Sequence, residues 1–166
     1  MKQLAGAVAA VLVLAGSGAL QAQEAGPGVG DKAPAVVVHD LSGKPVDLGQ
    51  FLGRRPVFLE FWATWCESCK ALLPRVQASQ AAYGNTVEFI GINVTVNQTP
   101  DAVRAYLEQH RLRLHPLYDD EGTSIRAYQV PATSYVVIAD RTGRIVYTGM
   151  GASQKFDDAL RQVSQP

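Results

Sequence analysis

Cys66 and Cys69 are the only two cysteines in the chain, and they stand where an apolar run gives way to a helical pattern. Val57-Phe58-Leu59-Glu60-Phe61-Trp62 reads as a buried strand, and Lys70 to Ala82 reads as a helix. A Cys-x-x-Cys at such a junction constrains fold and chemistry together. It demands a strand–helix unit, and it sets the first sulfur against the unpaired N–H groups and positive end of the helix dipole. A free thiol titrates near ~8.5, and settings of this kind lower it to ~3.5–7.5. The second thiol, one turn into the helix, is expected to be more buried and to keep its proton longer. Cys66 is therefore the candidate nucleophile and Cys69 the resolving thiol.

Other uses of such a pair fit less well. A structural zinc site needs four ligands, and the chain has no second cysteine pair; His39, His110 and His115 lack ligand spacing. Covalent c-type haem attachment needs histidine directly after the second cysteine, where Lys70 stands. An inert disulfide closing so short a loop adds little stability. The preferred reading is a redox-active disulfide/dithiol, with no metal and no cofactor.

The first residues point to export. Met1-Lys2 is a short positive start, Leu4 to Leu20 carries no charge, and Leu20-Gln21-Ala22 offers small residues near a cleavage point. Residues 1–22 are expected to be a cleaved signal peptide, with an uncleaved anchor as the alternative. Residues 23–29 read as a flexible tether and 30–166 as one domain. Fifteen basic and fifteen acidic side chains give no net charge, and no basic run occurs, so nucleic-acid binding has no electrostatic support. A thiol pair outside the cytosol meets an oxidising compartment, where it is either kept reduced by an electron supply or serves as an oxidant.

Strands and helices alternate along the rest. Ala35 to His39 and the segment returning through Pro45-Val46 read as a hairpin, and Val87 to Val94 as a strand. Thr99-Pro100-Asp101 supplies an N-cap, a proline at the first helical position and an acid in the first turn of a helix reaching about His110. Pro74 is expected to kink the helix after the dithiol. A short strand at Leu117-Tyr118, a short helix over Gly122–Tyr128, an apolar strand over Ser134–Ala139 and a partner from Arg144 follow. Ser153 is expected to cap a last helix ending near Val163. The pattern implies a mixed sheet with helices on both faces.

Gly30-Asp31-Lys32-Ala33-Pro34, Leu41-Ser42-Gly43-Lys44-Pro45-Val46-Asp47-Leu48, Phe61-Trp62-Ala63-Thr64-Trp65-Cys66-Glu67-Ser68-Cys69-Lys70 and Ile138-Ala139-Asp140-Arg141-Thr142-Gly143-Arg144-Ile145 together carry a family likeness. Over about residues 29–163 the chain resembles the TlpA/ResA-like branch of exported thioredoxin-fold thiol–disulfide oxidoreductases. The Phe-Trp-Ala-Thr-Trp-Cys run is the specific part of the match. The resemblance implies an α/β thioredoxin fold: a mixed central sheet flanked by helices, an N-terminal β-hairpin, and a helical insert at about residues 95–116. It implies reduction of disulfides in exported proteins, with electrons from a membrane thiol transporter and the protein acting as a monomer. A protein thiol oxidase, or a copper-delivery module using both sulfurs as ligands, are the alternatives.

The resemblance also implies roles for neighbours of the sulfurs. In this fold the loop entering the hairpin strand carries a cis-proline beside the dithiol, and Pro131 in Val130-Pro131-Ala132-Thr133 is the candidate. Val130 would offer backbone groups to substrate. The glycine usual before this proline is missing, since Tyr128-Gln129-Val130 leads straight in. Trp65 is expected on the exposed docking surface and Trp62 in the core. Glu60 stands mid-strand among apolar residues, a costly place for a carboxylate without a partner or a function. Thioredoxins carry an aspartate at the matching position that exchanges a proton with the second cysteine, whereas a relative's acid early in the insert corresponds to Val96 here. Glu60 is thus the expected proton acceptor for Cys69. Glu67 and Ser68, between the thiols, are expected to tune the redox potential; a glutamate beside Cys66 disfavours its thiolate.

Overall fold

The computed structural model describes residues 26–165; the expected leader, residues 1–22, lies outside them. Seven strands form one sheet: β1 (Val37–Asp40), β2 (Pro45–Asp47), β3 (Val57–Trp62), β4 (Glu88–Asn93), β5 (His115–Tyr118), β6 (Tyr135–Ala139) and β7 (Ile145–Met150). Four helices accompany them: α1 (Glu67–Tyr83), α2 (Pro100–Gln109), α3 (Thr123–Ala127) and α4 (Asp157–Val163). The spatial order is β2-β1-β5-β4-β3-β6-β7. β3, β4 and β5 run parallel, as strands joined through helices must, while β6 and the N-terminal hairpin pair antiparallel.

β3 lies near the middle of the sheet and all six of its residues are buried, which explains its lack of polar alternation. Its two faces meet different layers. Phe58 packs with Leu72 and Val76 of α1 and with Phe156 and Leu160 at α4. Leu59 and Phe61 pack on the other side with Tyr128 and, at its margin, Ile125 of α3. Helices therefore cover both faces, and the insert holding α2 enters β5 as expected.

The cap at Thr99 also holds: its Oγ1 accepts the Ala102 N–H at 3.2 Å, and Pro100 opens α2. Pro74 lies inside α1, which is continuous from Glu67 to Tyr83. The last helix differs from expectation. It begins at Asp157 rather than after Ser153, and no side chain caps it. The reason is Gln154, whose Nε2 donates to Ser134 O and Gly151 O, each at 2.9 Å. Those bonds hold Gly151–Lys155 along the end of the sheet until Phe156 drops into the core against Phe58.

Candidate active site

The chain leaves β3 at its C-terminal end, turns over Ala63–Trp65, and starts α1 with Cys66 as N-cap. Cys66 is extended (φ −76°, ψ 106°), and its Sγ accepts the Cys69 N–H at 3.0 Å. Sulfur here takes the place that a serine or aspartate oxygen takes at other helix starts. An N–H donor and the helix dipole both favour negative charge on this sulfur. Cys66 and Cys69 are joined as a disulfide, with Cα atoms 5.2 Å apart.

One expectation about the pair fails. Cys69 is not the more buried residue: Cys66 is 3% exposed and Cys69 6%. In the oxidised pair the Cys66 sulfur is drawn over the first turn toward the Cys69 N–H. The two sulfurs thus differ in hydrogen bonding, not in exposure.

Glu60 is buried in the centre of β3, 4% exposed. Alternation along the strand puts it on the face of Phe58, the side covered by α1, whose buried residues begin with Cys69 and Leu72. Cys69, in the first turn of that helix, packs in the core cluster that holds Trp62, which shares the Glu60 face of β3 two residues on. The carboxyl has no hydrogen bond or ion pair among the described residues, and burial alone pushes it up to about 8. A group poised there is protonated in part and ionised in part near neutral pH, which suits proton exchange.

Glu67 and Ser68 are exposed in the first turn of α1. Glu67 pairs with Lys70 at 2.7 Å, a bond that raises the lysine's pKa. A cation thus sits beside the carboxylate that was expected to act on Cys66. Trp62 is buried and stacks near Tyr106, centroids 5.4 Å apart, while Trp65 is 46% exposed.

The proline loop reaches the same end of the sheet, because Ser134 N–H donates to Phe61 O at 2.8 Å just before β6 begins. Val130 packs at the edge of the core cluster containing both cysteines, and Pro131 is exposed. The Val130–Pro131 bond, expected cis, is trans, as is every described peptide bond. The shorter loop turns by other means: Gln129 (φ 45°) and Ser134 (φ 64°) adopt left-handed conformations on either side of it.

A lateral support for the motif was not foreseen. Thr64 N–H donates to Gln98 Oε1 at 2.9 Å, and Trp65 Nε1 donates to Val96 O at 2.7 Å. Asn93 Oδ1 accepts the Thr95 N–H, and Tyr118 donates its hydroxyl hydrogen to Gln98 O. The segment between β4 and α2 thereby buttresses the turn before Cys66. The Asn97 in it adopts φ 52°, a conformation asparagine tolerates, and that was the one local signal available.

Residues 29–148 match the model of the AhpC/TSA family. The chain belongs to that family. Within it the chain is 33% identical over 129 residues to the thiol-disulfide oxidoreductase ResA of a Bacillus cereus strain, covering 76% of this chain and 72% of the relative. It is 29% identical over 139 residues to the ResA of Bacillus thuringiensis subsp. konkukian, covering 82% of this chain and 79% of that one. Among solved structures, a secreted Mycobacterium tuberculosis disulfide oxidoreductase homologous to E. coli DsbE superposes with a TM-score of 0.66 at 26% identity, over 78% of this chain and 95% of that one. The fold is thioredoxin-like, and the chain is a thiol–disulfide oxidoreductase of the TlpA/ResA-like kind.

Proposed function

We propose that this protein is exported and reduces disulfides of other exported proteins, with Cys66 as nucleophile, Cys69 as resolving thiol and Glu60 as proton acceptor. The observation that carries the reading is the Cys69 N–H held on Cys66 Sγ at 3.0 Å, at the N-terminus of a long helix and beside the exposed Trp65. In the reduced protein that donor stabilises a Cys66 thiolate. The thiolate attacks one sulfur of a substrate disulfide: a Cys66–substrate bond forms, the substrate S–S bond breaks, and the electron pair leaves on the other substrate sulfur. Cys69 then loses its proton to the Glu60 carboxylate and attacks Cys66 Sγ. The Cys66–Cys69 bond forms, the mixed disulfide breaks, and the second substrate thiolate departs. The protein ends oxidised and the substrate reduced.

Trp65, the Val130 backbone and Pro131 form the rim on which a substrate chain docks. Glu67, neutralised by Lys70, and Ser68 set the potential together with the N–H on Cys66. Residues 1–22 direct the monomeric domain out of the cytoplasm, and a membrane thiol transporter returns electrons to the pair. Among the described residues no helix is long and apolar enough to cross a membrane. A glutathione redox titration tests the direction of electron flow. A potential near that of thioredoxin, about −270 mV, supports a reductase; one near about −120 mV, the value of a strong oxidant, overturns it.

A further inference from the structure

Trp65 is half-exposed next to Cys66, yet it and the residue before it are both tied to one short loop. Its Nε1–H donates to Val96 O at 2.7 Å, and the Thr64 N–H donates to Gln98 Oε1 at 2.9 Å. The Gln98 amide is fixed at both ends: Oε1 also accepts from Asn93 Nδ2 at 3.3 Å, and Nε2 donates to Asn97 O at 2.9 Å. Turning that amide round would set donor against donor at Thr64 and Asn93. Asn93 is fully buried and pairs in register with Trp62 on one side and Tyr118 on the other. Gln98 is thereby anchored to the end of the sheet.

Holding this loop costs free energy. Thr95 (φ 62°) and Asn97 (φ 52°) both adopt the left-handed region, and Thr95 is β-branched, which suits it poorly there. Such conformations persist where the surroundings over-determine them, and they gather at functional sites. Here Asn93 Oδ1 accepts the Thr95 N–H at 2.9 Å, Thr95 O accepts the Gln98 N–H at 3.0 Å, and the Tyr118 hydroxyl donates to Gln98 O at 2.9 Å. A connection that only joined β4 to α2 would gain nothing from two left-handed residues. The pair flanks Val96, whose carbonyl takes the indole N–H, and leads into Gln98, whose oxygen takes the Thr64 N–H.

We propose that Gln98 is a positioning residue: its amide oxygen, by holding the Thr64 N–H, fixes the turn that carries Trp65 and presents the indole as a rigid platform to a protein substrate. A tryptophan on a loose turn has to be ordered when a partner binds, at a cost in affinity. One already fixed has met that cost in folding. Gln98 acts on docking through Trp65 and makes no hydrogen bond to either sulfur. This role rests on Trp65 belonging to the docking rim, and its test separates the two.

Gln98→Met keeps the length of the side chain and removes its amide. In reduction of a disulfide-bonded protein it should raise KM about fivefold, the worth of one hydrogen bond, and leave kcat within about twofold. Combined with Trp65→Ala it should add less than about twofold, because the platform it orders is then gone. An unchanged KM, or a fivefold effect that persists in full beside Trp65→Ala, overturns the proposal. A Trp65→Ala variant that reduces the protein disulfide as well as wild type defeats the docking rim itself, and the role of Gln98 falls with it. The oxidised wild type gives a measurement independent of any variant. By NMR hydrogen exchange, the Thr64 amide and the Trp65 indole N–H should exchange at least about tenfold more slowly than an unprotected N–H. Exchange at the unprotected rate overturns the proposal even where Gln98→Met fails to fold.

Discussion

Replacing Glu60 by glutamine should make the protein more stable at alkaline pH and leave it nearly unchanged in mild acid. The folded protein holds this carboxyl up to about 8, against an ordinary value of 4.5, and the sole cause is burial. Between those two pH values the unfolded chain has released the proton and the folded chain still binds it. Stability contributed by a proton bound only in the folded state falls as pH rises, at about 1.4 kcal/mol per pH unit. Across the interval the loss approaches about 5 kcal/mol, a large part of the ~5–15 kcal/mol that holds a domain together. Below the ordinary carboxyl range both states are protonated and the loss disappears; above about 8 both are ionised and it levels off. Glutamine keeps the shape and cannot ionise. Urea unfolding of the oxidised wild type and Glu60→Gln, from pH ~5 to ~9, should therefore give curves that agree at the acid end and separate by several kcal/mol at the alkaline end. A difference between the two proteins that is the same at every pH would refute the reasoning.

Further predictions concern kinetics and support. Glu60→Gln should slow resolution of a mixed disulfide near neutral pH by about 10²-fold or more while sparing attack by Cys66, as rapid-mixing kinetics of the two steps would report. Trp65→Phe removes the N–H bonded to Val96 O at 2.7 Å; reduction of a protein disulfide should lose about fivefold in kcat/KM, the worth of one hydrogen bond, and reduction of a small-molecule disulfide should not change. Asp119 is buried and accepts from Thr123 N, Ser124 Oγ and Ile125 N at 2.7, 2.7 and 2.9 Å. Asp119→Ala strands those donors and should cost about 3 kcal/mol in urea unfolding; a loss below about 1 kcal/mol would show that these bonds do not hold the start of α3.

What the chain declares about itself is mostly local. Val57–Trp62 is buried on both faces and so carries no polar interruption except Glu60, which is why one glutamate stood out there. Thr99-Pro100-Asp101 acts within its own turn, and the same three residues open α2 in the structure. That Cys66 sits at the N-terminal end of a helix was legible for the same reason, although the helix begins at Glu67 rather than Lys70. Features made by distant partners were not. Ser153 had the composition of a cap, but Gln154 bonds across to Ser134 and holds the chain out of a helix there. The Val130–Pro131 bond depended on a loop one glycine short, whose turn is made by Gln129 and Ser134 with their left-handed backbones. The order of thiol burial depends on where the Cys66 sulfur rests once oxidised. Gln98 reaching back to Thr64, and Trp62 packed over Gly91 where no side chain would fit, join residues about thirty positions apart through contacts that no short pattern relates.

The central claim is that the two sulfurs have fixed and different roles, set by the N–H on Cys66. Trapping measures this directly. The Cys69→Ala variant, mixed with a disulfide-bonded substrate peptide, should accumulate a mixed disulfide at Cys66, and Cys66→Ala should accumulate none at Cys69, as mass spectrometry of the intact adducts would show. Adducts forming on Cys69 as readily as on Cys66 would contradict the account.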